Sequence, residues 1–104
     1  MELYNKLVRD NIPEIIKAQN KAPIVKVLDD DQYLAALNDK LQEEIAEYMA
    51  DNKLEELCDI LEVVYAIAKA KGYSADDINT ARDDKNTKNG KFEKRLFLEK
   101  VEVT

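Results

Sequence analysis

Histidine is absent from this chain of 104 residues, tryptophan is absent as well, and Cys58 is the sole cysteine. Without histidine there is no imidazole general base, no histidine-containing triad and no imidazole zinc site. One cysteine closes no intrachain disulfide, so a reducing compartment is expected. On its apolar stretch Cys58 reads as a small core residue. Aromatic residues make up only 7% of the chain. An apolar content of 45% supports one domain over residues 1–104, yet so light a core leaves little margin, and burial in an oligomer is expected. The longest apolar-rich run, Leu57 to Ala68, is too short to span a bilayer and carries Asp59 and Glu62. Met1 to Ile16 carries charges throughout and lacks a signal-peptide pattern. The expectation is a cytoplasmic protein that engages no membrane.

The formal net charge is −6, from 22 acidic and 16 basic residues. A field of that sign argues against nucleic acid as a partner. The charge is uneven. Between Arg82 and Lys100, Arg82, Lys85, Lys88, Lys91, Lys94, Arg95 and Lys100 outnumber Asp83, Asp84, Glu93 and Glu99. An acidic centre followed by a basic tail is what a metal-plus-phosphate site requires.

Asp10 or Asn11 is positioned to cap a short helix reaching about Gln19, with Pro13 in its first turn. Pro23 and the run Ile24 to Leu28 read as a short strand. Asp29, Asp30 and Asp31 then offer an N-cap and favourable dipole contacts to a helix from about Gln32 to Ala50. Its apolar stripe is Leu34, Leu37, Leu41, Ile45 and Tyr48, a helical period. Asp51-Asn52 makes the turn into a helix from Lys53 or Leu54 to Lys71, stopped by Gly72. Ser74 with Asp77 forms a capping box that opens a further helix to about Lys88. Asn89-Gly90 is a turn, and Arg95 to Val103 reads as a closing strand. The fold class is mainly α: an antiparallel helical bundle with short extended segments near residues 24–28 and 95–103.

The chemistry lies in two carboxylate pairs. Glu44/Glu47 and Glu56/Asp59 are each spaced i, i+3, which puts both members on one helical face. Helices joined by so short a turn would aim all four at one point. Such a concentration of negative charge calls for a cation, and hard oxygen ligands favour Mg²⁺ or Mn²⁺. The ordinary reading of glutamates on a helix is a solvated face. It suits Glu43 and Glu55. It suits Asp59 and Glu62 poorly, because their helix is apolar on nearly every side and reads as buried all round, where an unpaired carboxylate is costly. With histidine excluded, metal-assisted hydrolysis remains, in which a divalent ion acidifies water and a neighbouring carboxylate takes the proton. Glu43 and Glu47 are the candidates for that last role. For the basic segment the ordinary reading is complementation of a helix C-terminus. The functional one is a clamp on phosphates, with Lys6 and Arg9 as a second candidate pair.

The arrangement Glu43-Glu44-x-x-Glu47 followed by Glu56-x-x-Asp59 resembles the EExxE…ExxD signature of the all-α nucleotide pyrophosphohydrolase superfamily. That group includes MazG-like enzymes, dimeric dUTPases and phosphoribosyl-ATP pyrophosphohydrolase. The opening Tyr4-Asn5-Lys6-Leu7-Val8-Arg9-Asp10-Asn11-Ile12-Pro13-Glu14-Ile15-Ile16 is similar to a small MazG-like branch often described as phosphoribosyl-ATP pyrophosphohydrolase-like. The likeness runs on through Leu28-Asp29-Asp30, Glu56 to Glu62, Arg82-x-x-Lys85, Gly90-Lys91-Phe92 and Leu96-Phe97-Leu98. It implies hydrolysis of a nucleotide's α–β phosphate bond to a monophosphate and pyrophosphate, with a house-cleaning role among the possibilities. It also implies that Glu44, Glu47, Glu56 and Asp59 hold Mg²⁺, and that Lys85, Arg82 and Arg95 meet the phosphates. Homodimers or homotetramers go with the resemblance. Two departures stand out: only eight residues separate Glu47 from Glu56, and Lys91 stands where a second glycine is usual. The alternatives are phosphoribosyl-ATP pyrophosphohydrolase itself and a non-catalytic helical module that binds nucleotides or a protein partner.

Overall fold

A computed structural model describes residues 2–103, and it is mainly helical: α1 (Ile12–Ala18), α2 (Asp30–Asp51), α3 (Leu54–Ala70) and α4 (Ala75–Asn89). Each boundary has a local cause. Asp29 is the N-cap of α2, its side chain accepting from the Gln32 N–H at 2.8 Å while the Asp29 N–H donates to Gln32 Oε1 at 3.3 Å. That reciprocal capping box, with Asp30 and Asp31 in the first turn, satisfies donors that a helix start otherwise leaves open. Asp29→Ala is therefore expected to cost about 1 kcal/mol, read as a lower urea midpoint. At the other end Asn52 takes a left-handed φ of 54° and donates to the Tyr48 carbonyl, a conformation asparagine tolerates better than most residues. The chain then enters α3 directly, so α2 and α3 fold back on each other.

Gly72, with φ of 91°, closes α3. Its N–H donates to the Lys69 carbonyl and the Tyr73 N–H to the Ala68 carbonyl, which is a Schellman motif. Ser74 and Asp77 cap α4 reciprocally, as their spacing predicts. α2 packs along α3 and α4 packs on α3, whereas α1 makes no close backbone approach to any other helix.

Two expectations fail. Residues 24–28 and 95–103 form no strand, and none occurs among the described residues. A strand needs a neighbour to accept its hydrogen bonds, and these segments have none: Ile24, Val27, Phe97 and Val101 all lie exposed. Such arms lengthen the molecule to 67 Å, and its radius of gyration is 18.6 Å against about 13 Å for a compact chain of this size. Secondly, α3 is not buried all round. Leu37 and Val63 are the buried apolar residues among those described, while Leu54, Leu57 and Leu61 are exposed, and so is Cys58, which is no core residue here. Among the described residues, α2 and α4 are the helices that pack on α3, and that leaves a third face open. No helix among the described residues is long and apolar enough to cross a membrane.

Candidate metal centre

The last turns of α2 and the first turns of α3 carry the two carboxylate pairs, and the tight Asn52-Lys53 connection brings them together. One ligand oxygen from each of Glu44, Glu47, Glu56 and Asp59 falls within 4.8 Å of all the others. Oxygens on opposite sides of one Mg²⁺ lie about 4.2 Å apart, and across a Ca²⁺ about 5 Å apart. The quartet thus has the dimensions of a single divalent site. Burial supplies a second observation. Glu44 is only 6% exposed, and its Oε2 has no hydrogen-bond partner among the described residues. A buried carboxylate oxygen left unpaired is costly unless something positive meets it. The donor set and the orphaned oxygen both fit a hard divalent cation.

Electrostatics separate the members. Burial raises the Glu44 carboxyl above its ordinary value, helped by Glu47 and opposed by Lys40. Glu56 is raised as well, first by desolvation, then by Asp51, Glu47 and Asp59. Glu43 moves the other way because Lys6 Nζ donates to its Oε1 at 2.8 Å, with Lys40 assisting at 3.3 Å. The pH dependence follows. Raised groups contribute stability below their unfolded value, near 4.5, and lose it as pH climbs through the folded value; a depressed group loses its contribution as pH falls below 4.5. Metal-free protein is therefore expected to gain stability from pH 7 down towards about 4.5 and to lose it below, in urea melts at each pH. Saturating Mg²⁺ should flatten the rise, since it offsets the same charges.

Of the residues singled out from sequence, Glu43, Glu44, Glu47, Glu56, Asp59, Lys6 and Arg9 converge at the hairpin end. Arg9 Nη2 lies 2.7 Å from Asp59 Oδ1. Glu43 is no free solvated side chain but the centre of a cation pair, Lys6 and Lys40. Glu62, expected to be buried, is exposed and lines a cleft of about 280 Å³ between α3 and α4 with Tyr65, Lys69 and Tyr73. Among the described residues, Arg82, Lys85 and Arg95 form no ion pair with the quartet; Arg82 instead donates to Asn79 Oδ1, which also accepts from the Tyr65 hydroxyl. Lys40 went unread in the sequence although the signal was there. It stands three residues before Glu43 and four before Glu44, the spacing at which helical side chains meet, and its Nζ lies 3.3 Å from each.

No family model matches the chain, and no solved structure matches it. A protein of Mycolicibacterium smegmatis, described as uncharacterized, is 53% identical over 45 residues, which is 43% of this chain and 46% of that protein. The chain thus spans less than half the length of that relative.

Proposed function

We propose that this protein is an Mg²⁺-dependent nucleotide pyrophosphohydrolase of MazG-like type, with Glu44, Glu47, Glu56 and Asp59 holding the ion. The observation that carries the reading is the quartet itself, four carboxylates within reach of one cation, one of them buried with an orphaned oxygen. When bound, the ion would supply charge to offset phosphate oxygens and acidify water. The chain's own residues divide the remaining work. Glu43, held by Lys6 and Lys40 with its pKa depressed, is a weak base. Glu47 is exposed and in no ion pair among the described residues, and one of its two oxygens suffices for the ion, so of the two candidates it is the one whose second oxygen would take the proton of the attacking water. The water oxygen bonds to the α-phosphorus, the bond to the α–β bridging oxygen breaks, and pyrophosphate leaves with that oxygen. Lys6 and Arg9 supply positive charge beside the carboxylates. Lys85, Arg82 and Arg95 would have to approach from α4 and the tail once substrate is present. The shallow, open depression beside Tyr65 and Tyr73 begins at Glu62, one turn past Asp59, and offers two aromatic side chains on which a nucleobase would stack.

The same reading includes a homodimer or homotetramer. Ile45 and Met49 on α2, and Leu54, Leu57 and Leu61 on α3, leave apolar side chains exposed at helical spacing on the hairpin that carries the quartet. Pyrophosphate release from canonical and damaged triphosphates, with phosphoribosyl-ATP alongside, tests the activity and separates the two substrate classes. Metal and nucleotide binding without turnover of any of them would favour a binding module.

A further inference from the structure

Arg9 Nη2 lies 2.7 Å from Asp59 Oδ1, so an arginine already occupies one of the four carboxylates that would hold a divalent ion. Arg9 stands three residues before α1, the helix that makes no close approach to the others, and the Arg9 carbonyl accepts from the Ile12 N–H. The segment leading into α1 is therefore tied to the hairpin by charge, through Lys6 to Glu43 and Arg9 to Asp59. The Arg9 side chain is 57% exposed and that of Asp59 34% exposed, and a pair this open to water is weak. A guanidinium and a divalent ion on one carboxylate repel each other. A phosphate, by contrast, offers the guanidinium two oxygens at the spacing of its own fork.

We propose that Arg9 is an exchangeable counter-charge: it holds Asp59 while the quartet is free of metal, and transfers to a phosphate when metal and a phosphorylated ligand enter. The inference rests on the reading of the quartet as a metal site, but its consequence is separate. Removing Arg9 affects the two ligands in opposite directions. Free metal binds more tightly, because its competitor is gone, while a phosphate ligand binds more weakly.

The test uses the full chain as wild type, Arg9→Ala, Arg9→Lys and Lys17→Ala. The last removes one positive charge that pairs with Glu14 rather than with the quartet. Mn²⁺ alone is titrated first, read from the paramagnetic signal of the free ion. Inorganic pyrophosphate is then titrated in saturating Mg²⁺ by calorimetry. Arg9→Ala is expected to bind Mn²⁺ about two- to fivefold more tightly than wild type, the range an exposed ion pair allows. Its pyrophosphate affinity is expected to fall about tenfold or more, with Arg9→Lys recovering part of both effects. Equal Mn²⁺ affinities in wild type, Arg9→Ala and Lys17→Ala would overturn the exchange while leaving the metal site standing. Weakening of both ligands in Arg9→Ala would overturn it too and make Arg9 a structural support. Absence of Mn²⁺ binding in every variant would remove the metal site, and the exchange with it.

Discussion

Replacing Glu44 by glutamine is expected to abolish Mg²⁺-dependent pyrophosphate release and, in the same protein, to stabilise the metal-free fold. The two effects share one cause. Glu44 is the buried member of the quartet, its Oε2 lacks a partner among the described residues, and both burial and Glu47 act against its charge. A glutamine fills the same space without charge and brings a donor towards Glu47. Relief of an unsatisfied buried oxygen is worth about 1–3 kcal/mol, and losing one of the two carboxylate partners of Lys40 takes back about 1 kcal/mol, so the net gain is about 1 kcal/mol. In a domain of this size that raises the melting midpoint by about 5 °C. Activity goes the other way. Loss of one charged ligand removes several kcal/mol of charge stabilisation, a fall of about 100-fold or more in rate. A variant less stable than wild type without metal would mean that Glu44 is satisfied by something other than a cation.

The second large effect lies on the uncovered face of α3. Leu57→Glu combined with Leu61→Glu is expected to convert a dimer or tetramer into monomer, measured by light scattering on a size-exclusion column. Leu57 is 42% and Leu61 54% exposed in the single chain, and with Leu54 and Cys58 they form a continuous strip. Burying a fully exposed leucine is worth about 1.5–3 kcal/mol, and these are already about half covered, so four of them across a two-fold interface contribute about 3–6 kcal/mol. Four glutamates in their place add repulsion to that loss. Among the described residues the single chain buries only Leu37 and Val63 of its apolar side chains, which is a small core for 104 residues. Monomeric wild type at 11.9 kDa would contradict this part of the reading.

Much of the architecture was legible because it rests on local rules. The Asp29 and Ser74 caps, the Asn52 turn and the Gly72 stop are set by residues within one turn of each boundary, and the helices begin and end within a residue or two of where those signals put them. The convergence of Glu44, Glu47, Glu56 and Asp59 was legible for the same reason: two i, i+3 pairs joined by a minimal turn have few ways to avoid one another. What was not legible depends on distant contacts. Periodicity shows that α3 is apolar around most of its surface, but not whether anything covers Leu57 or Leu61. It reads Ile24 to Leu28 and Arg95 to Val103 as strands without asking which neighbour would accept their hydrogen bonds. It places Arg9 near the start of the chain with no indication that its guanidinium reaches Asp59, 50 residues on.

The most direct test of the metal-centre reading is pyrophosphate release by the wild-type chain from a panel of canonical, deoxy and damaged nucleoside triphosphates plus phosphoribosyl-ATP, with Mg²⁺ and with EDTA. Release that depends on Mg²⁺, disappears in EDTA and is lost in Asp59→Asn is the expected result. Pyrophosphate formed equally well in EDTA, or at wild-type rate by Asp59→Asn, would contradict a catalytic role for the quartet.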